Sequence, residues 1–247
     1  MSKLLTISYL LSVFLISVSV FAQNKKDFQR VIGGDVKSPR ILACDHPEFS
    51  FHLPEMAGNL HFGIENQGKN KWLKDFTQIK TKESKQKIIY KIKDEFIAKA
   101  ELIICVTNLS HTDGIILEAE IINLPAETYL TWSFGGCYGV ELADKTDSHL
   151  KPSYCKDNVF SIEGNAFTCY YGESMKLRVI QGIVPLSSEL KLSETYRQGA
   201  PALSGRTPLK NGEKLYFCIY KQNKQADYNY YMLRDLFEYE YNKSQYQ

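Results

Sequence analysis

Apolar and polar residues alternate with a period of two along most of the chain, as expected for half-buried β-strands. The alternation is clear at residues 49–53, 60–64 and 88–92. Two longer runs at 101–107 and 114–124 are rich in Ile, Leu and Val, and the turn between them predicts an antiparallel pair. Further strands are predicted at 128–134, 159–162, 166–171, 176–184, 189–192 and 214–220. So many short strands indicate an all-β protein, a large antiparallel β-sandwich.

The pattern changes near the C-terminus, where Leu233, Leu236, Phe237 and Glu240 recur at helical spacing. This spacing predicts a C-terminal, linker-like helix, which either covers an edge of the sandwich or leads to a further domain. The expected organisation is a β-sandwich domain over residues 23–227 and a helix or linker over 228–247.

The first 22 residues have the features of an export signal. Lys3 precedes an apolar run over residues 4–20, and Val20-Phe21-Ala22 is a small-x-small cleavage site. We expect cleavage before Gln23 and an exported protein, periplasmic or secreted, with no membrane attachment afterwards. The alternative is a retained N-terminal anchor.

Charge and cysteine content exclude some classes of function. The chain has 247 residues and a net charge of +2, with acids and bases interspersed, so we expect no nucleic-acid partner. The six cysteines contain no C-x-x-C pair, which excludes a zinc ribbon and a thioredoxin-type site. Cys105, Cys169 and Cys218 lie in apolar runs and are expected to act as small core residues, leaving at most one disulfide.

Few residues suggest chemistry. Asp45 and Glu48 flank Pro47, and such a pair can cleave glycosides, but a turn in which Asp45 accepts backbone N–H groups is the favoured explanation. The histidines at 46, 52 and 61 lack the spacing of a helical metal motif, so we expect no metal and no cofactor. A nucleophile elbow is absent, and Ser204-Gly205 is predicted to be an ordinary turn.

The two tryptophans are candidate platforms for sugar rings. Trp132 alternates with Leu130 and Phe134, which favours a core position on one side of a strand. For both tryptophans, burial in the core is the favoured explanation, because Trp is highly buried on average. The candidate carbohydrate-binding residues are nevertheless Trp132, Trp72, Asp45 and Glu48, and the expected partner is a polysaccharide or oligosaccharide.

Several separated blocks, in a fixed order, carry a resemblance to a known family. The blocks are residues 28–33, 40–49, 58–63, 72–73, 79–81, 130–136, 150–158, 164–167 and 203–205. Together they resemble the N-terminal part of exported, glycoside-hydrolase-like bacterial proteins that are catalogued as a domain of unknown function.

The resemblance implies a super-sandwich like that of sugar phosphorylases and other six-hairpin glycosidases, packed on a helical toroid that carries the catalytic acid and base. The chain departs from that pattern in a short loop at 139–149 and in ending at Gln247, where the toroid would begin. No catalytic residue of the family therefore maps onto this sequence.

Three functions remain open at this point. The first is a non-catalytic accessory sandwich of a polysaccharide-processing system, with the toroid encoded separately or downstream. The second is a standalone carbohydrate-binding module, and the third is an independent glycosidase using Asp45 and Glu48. An apolar patch beside the C-terminal helix would favour the first function. A row of exposed aromatic residues would favour the second, and a deep cleft holding both carboxylates would favour the third.

Overall fold

The computed structural model describes residues 30–33, 40–53, 56–84, 86–124, 127–138, 158–171, 180–192 and 202–243. In chain order the strands are β1 (Arg30–Gly33), β2 (Arg40–Ala43), β3 (Glu48–Leu53), β4 (Met56–Asn66), β5 (Lys69–Trp72), β6 (Gln78–Ser84), β7 (Lys87–Lys93), β8 (Glu101–Asn108), β9 (Gly114–Ile122), β10 (Thr128–Tyr138), β11 (Asn158–Glu163), β12 (Ala166–Tyr171), β13 (Ile180–Ile183), β14 (Glu189–Leu192), β15 (Leu203–Pro208) and β16 (Lys214–Lys221). One helix, α1 (Tyr230–Lys243), follows the last strand. Over these ranges, no helix has the length and apolar character needed to cross a bilayer.

The strands form two antiparallel sheets. The first sheet has the order β1-β2-β3-β4-β10-β15-β14, with β5 paired to the second half of β4. The second sheet has the order β11-β12-β13-β16-β9-β8-β7-β6. The predicted all-β antiparallel sandwich with a C-terminal helix is confirmed.

Aromatic side chains from the two inner faces meet in the core. Phe62 of the first sheet lies 5.6 Å from Phe217 of the second, measured between ring centroids. Trp132 stacks on Phe167 at 6.0 Å and is only 1% exposed. Such interdigitation of two apolar faces is how a sandwich buries its core.

Two predictions made from the sequence are wrong: the turn at Ser204-Gly205 and the end of a strand at Phe134. Ser204 and Gly205 lie inside strand β15, not in a turn. Gly205 sits directly opposite Trp132, and a Cβ at Gly205 would lie 2.0 Å from Cε2 of that indole. The glycine therefore makes room for a large neighbour across the sheet. Strand β10 also continues past its predicted end at Phe134, because residues 135–138 pair with β4.

Helix α1 packs against the outer face of the second sheet. Its buried side chains Leu233 and Phe237 join a cluster that includes Ile116 and Tyr220 from the sheet. Buried Glu240 accepts hydrogen bonds from the Ser110 backbone N–H at 2.9 Å and the Ser110 hydroxyl at 2.8 Å. The helix is thus an integral layer of the described structure. Its role as a linker to another domain stays a prediction.

Several expectations fall wholly or partly beyond the described residues. The leader at 1–22 lies outside them, and so does most of the block at 150–158. Among the described cysteine side chains, Cys44, Cys105, Cys169 and Cys218 are thiols. Cys169 and Cys218 are buried, as the prediction of core cysteines requires.

Asp94 joins two neighbouring segments through a buried carboxylate. One oxygen accepts from the Lys71 ammonium and the Phe96 N–H, each at 2.9 Å. The other accepts from the Thr77 N–H and hydroxyl at 2.9 and 3.1 Å. Burial alone would raise the pKa of Asp94, but these donors outweigh it and lower the pKa from 3.8 to about 2.

We expect Asp94→Asn to lower the free energy of unfolding by roughly 2 kcal/mol at neutral pH. Because the folded pKa is depressed, this stabilisation is complete above the unfolded pKa and is lost as the pH falls towards about 2. Urea unfolding of both proteins between about pH 6 and pH 2 should show their difference shrinking within that interval. The exposed carboxylate variant Asp75→Asn serves as the control, and an equal loss there would contradict the assignment.

Candidate functional site

The outer surface of the first sheet is polar, although its inner surface is apolar. Side chains alternate between the faces along each strand, so the inward Phe49, Phe62 and Trp132 leave their neighbours facing outward. We call this outer surface the polar face and define it by the half-buried residues His61, Trp72, Thr131 and Arg206. The register aligns these residues, because His61 and Gly63 share one face of β4, Gly63 is opposite both Trp72 and Thr131, and Thr131 is opposite Arg206.

Trp72 is the aromatic centre of the polar face. Its half-buried indole lies over Gly63, where a Cβ would come within 2.8 Å of Cε3. The ring meets His61 edge-on at a centroid distance of 4.5 Å. Beside it the Thr131 hydroxyl donates to Asn70 Oδ1 at 2.6 Å. A partly exposed aromatic ring with hydroxyl, imidazole and amide groups around it can contact both the apolar and polar parts of a ligand.

Arg206 extends the same surface towards the sheet edge. Its guanidinium donates to Glu65 at 2.8 Å and lies 3.5 Å from the centroid of the Tyr129 ring. The Tyr129 hydroxyl in turn donates to Glu127. The stacked Arg206–Tyr129 pair is therefore held in place by carboxylates on both sides.

Residues Cys44–Pro47 form a tight loop between β2 and β3, whose ends pair at Ala43 and Phe49. The Cys44 N–H donates to the Glu48 carbonyl at 3.2 Å, and the Glu48 N–H donates to the His46 carbonyl at 2.7 Å. The second sheet clamps this loop through the Tyr90 hydroxyl, which donates to the Cys44 carbonyl at 3.0 Å. Burial raises the pKa of Tyr90 well above its usual value, so this hydroxyl remains a donor.

Asp45 faces a cation rather than an open cleft. It forms an ion pair with Arg30, and Arg30 also donates to Glu83 at 2.6 Å. Partial burial would lower the pKa of Arg30, but the hydrogen bonds and charges of the two carboxylates raise it. The Thr81 hydroxyl donates to the Asp45 carbonyl at 2.7 Å, which ties the loop to β6.

Glu48 has different partners. Its Oε2 lies 3.1 Å from His46 Nε2, and its Oε1 accepts from the Asn59 amide at 2.9 Å. The side chain is buried. Asp45 and Glu48 are therefore each engaged in a separate set of contacts among the residues that the structure describes, and these contacts do not direct the two carboxylates towards each other.

Cys44, His46 and Glu48 form a buried cluster that we call the loop cluster. One potential ligand atom from each residue lies within 4.8 Å of the others. Sequence reasoning weighed the three histidines alone and so missed a set that combines a thiol, an imidazole and a carboxylate. The three residue types are visible in the sequence as C-x-H-x-E, but it is the tight loop that brings their side chains together.

Trp132 does not belong to a binding surface. The residue is 1% exposed and packed between the sheets, so it cannot contact a carbohydrate on the surface. Its assignment as a candidate sugar platform is wrong, and the alternation with Leu130 and Phe134 correctly indicated the core. Of the two tryptophans, Trp72 remains a candidate.

A small recess lies apart from the polar face, next to β1, β2 and the β8–β9 turn. Gly33, Ile41, Leu53 and Thr112 are among its lining residues, and its volume is about 50 Å³. Ligand pockets usually have volumes of roughly 300–1,000 Å³, so this recess is too small for a sugar chain.

Comparison with protein families gives one match across most of the chain. A family model described as "Domain of unknown function (DUF4450)" matches residues 53–240. A search of curated proteins found no match.

Part of a solved carbohydrate-active enzyme is similar to this chain in fold. A bacterial glucoamylase complexed with acarbose has a TM-score of 0.50 and 8% identity, over 89% of this chain and 37% of the glucoamylase. A polysaccharide lyase has a TM-score of 0.33 and 12% identity, over 72% of this chain and 27% of the lyase. The chain thus spans little more than a third of the glucoamylase and about a quarter of the lyase.

Proposed function

Because the chain belongs to the DUF4450 family, whose model covers about three quarters of it, we propose that it is an accessory sandwich of an exported polysaccharide-processing system. In this proposal the chain does not cleave glycosidic bonds itself. A helical toroid, encoded separately or downstream, would supply the catalytic acid and base, as the resemblance to six-hairpin glycosidases implies.

The observation that carries this proposal is that both candidate carboxylates, Asp45 and Glu48, already form ion pairs or hydrogen bonds with other side chains of the chain. Glycoside cleavage needs two carboxyl groups on either side of one bond, about 5–5.5 Å apart for retention or 6.5–9.5 Å for inversion, with space for the sugar. Asp45 is paired with Arg30, whereas Glu48 is buried against His46 and Asn59. Among the described residues, these contacts use both carboxylates to hold a loop, which supports a structural role for the pair.

Contact with a second domain is supported by the outer side of helix α1. Tyr231, Met232 and Tyr239 are 81%, 46% and 53% exposed there, although each has a large apolar part. Clustered exposed apolar side chains often mark an interaction surface. This feature favours an accessory sandwich over a module that works alone.

Carbohydrate contact is supported by the polar face and by the fold shared with a glucoamylase. Trp72 offers part of its indole, and His61, Thr131 and Arg206 offer polar groups along the same surface. The same arrangement favours the second candidate function, a carbohydrate-binding module. The two functions differ in whether binding requires a toroid partner.

We expect the purified chain to bind at least one soluble plant or host polysaccharide and Trp72→Ala to weaken that binding about tenfold or more. Removing the indole removes the aromatic surface of the polar face, where stacking on one ring contributes of the order of 1–2 kcal/mol. Affinity gel electrophoresis across a polysaccharide panel measures the change.

The matched control is Tyr239→Ala, which removes an exposed aromatic ring from helix α1 rather than from the polar face. It should bind polysaccharide as the unaltered chain does. Equal binding by Trp72→Ala and the unaltered chain would contradict the placement of the site on the polar face. Failure of the unaltered chain to bind any member of the panel would remove the support for direct carbohydrate contact.

A further inference from the structure

We propose that the loop cluster of Cys44, His46 and Glu48 binds one Zn²⁺ ion. The inference is independent of the proposed carbohydrate function. It rests on which atoms meet, how deeply they are buried and what holds them there.

The three side-chain groups of the loop cluster suit Zn²⁺ better than they suit a hard cation such as Ca²⁺ or Mg²⁺. A thiolate, an imidazole nitrogen and a carboxylate oxygen are all established zinc ligands, whereas Ca²⁺ and Mg²⁺ prefer oxygen ligands alone. Bonds of about 2.0–2.3 Å around a tetrahedral zinc keep neighbouring ligand atoms about 3.3–3.8 Å apart. The three atoms lie within 4.8 Å of one another, so only a small adjustment brings them to that spacing.

Burial makes the cluster a costly arrangement without an ion. Cys44, His46 and Glu48 are 0%, 4% and 3% exposed. Among the residues that the structure describes, His46 Nδ1 is buried with no hydrogen-bond partner. A buried polar nitrogen without a partner is unfavourable, and a metal bond to Nδ1 would compensate for that loss.

The surroundings already orient two of the groups. The Asn59 amide donates to Glu48 Oε1 at 2.9 Å, which leaves Oε2 directed towards His46. The Tyr90 hydroxyl fixes the backbone of Cys44 through its carbonyl. Groups of this kind, which hold ligands in place from outside, are typical of metal sites.

Binding would convert the Cys44 thiol to a thiolate, with the proton released to solvent. Three protein ligands leave one position of a tetrahedral ion for water or another donor. Because the site is buried, its role would be structural. The ion would join β2, β3 and their loop and would enter while the chain folds.

The first test is the metal content of purified protein that was refolded with an equimolar amount of Zn²⁺ and then desalted. We expect about one zinc per chain for the unaltered protein. We expect at least a fivefold loss in Cys44→Ser and in His46→Gln. Cys105→Ser is the matched control, because Cys105 is a half-buried thiol on β8 and should leave the zinc content unchanged.

A second measurement uses only the unaltered chain, so it does not depend on whether the variants fold. The unaltered chain refolded with Co²⁺ should show the near-ultraviolet charge-transfer band of a thiolate–cobalt bond, and its melting temperature should rise with added Zn²⁺. Absence of both the band and retained zinc would overturn the proposal and leave the loop cluster as a hydrogen-bonded part of the fold. Zinc retention by Cys44→Ser equal to that of the unaltered chain would also overturn it.

Discussion

Replacing Trp132 by Ala should lower the free energy of unfolding by about 3–5 kcal/mol, the range seen when a large aromatic residue is removed from a core. The indole is held between the sheets by Phe167 at 6.0 Å and Phe217 at 6.4 Å, and Gly205 lies beneath it. Gly205 has only a hydrogen atom on that side, so β15 offers no side chain at this position to fill the cavity. Urea unfolding followed by circular dichroism measures the change.

Trp72→Ala provides the matched comparison, because it removes the same side chain from a half-buried position on the polar face. We expect it to cost less than half as much as Trp132→Ala, because less apolar surface leaves the solvent at Trp72 on folding. Equal losses in the two variants would contradict the assignment of one tryptophan to the core and the other to the surface.

The double variant Leu233→Ala, Phe237→Ala should detach helix α1 and lower the free energy of unfolding by about 5–10 kcal/mol, from about 2–5 kcal/mol for the leucine and about 3–5 kcal/mol for the phenylalanine. Both side chains are buried against the second sheet, where Phe237 lies 5.9 Å from the ring of Tyr216. Detachment would also expose Cys218 and Tyr220, which are now buried. Faster labelling of the Cys218 thiol would report that exposure.

Met232→Ala on the same helix is the control, because Met232 is largely exposed and should change stability by no more than about 0.5 kcal/mol. If the double variant were as stable as this control, α1 would act as a loosely attached linker. That result would restore the sequence-based expectation of a linker-like helix.

Strands with one buried face were predictable from the sequence, whereas exposed strands were not. Strands β8 and β9 contain alternating or continuous apolar residues because they cross the core. Their antiparallel pairing was correctly predicted from the turn at 108–114. Strand β6 has the sequence QIKTKES and is mostly exposed, so it offered no apolar period. Strand β6 is held in the sheet by its backbone pairing with β7, which the composition of β6 does not indicate.

The candidate site was only partly predictable for a similar reason. Trp72 was identified, but its contacts with His61 and Thr131 depend on a register between three strands. The loop cluster was missed because local spacing was judged against helical metal motifs. Asp45 and Glu48 are close in sequence, yet a bend sends one towards Arg30 and the other towards Asn59.

The most direct test of the accessory function is an assay of sugar release from a panel of plant and host polysaccharides. The unaltered chain is compared with the double variant Asp45→Asn, Glu48→Gln. We predict that neither releases sugar and that the double variant melts at a lower temperature, because it loses the Arg30 ion pair and weakens the contact with His46. Release by the unaltered chain that disappears in the variant, with an unchanged melting temperature, would contradict the account and identify an independent glycosidase.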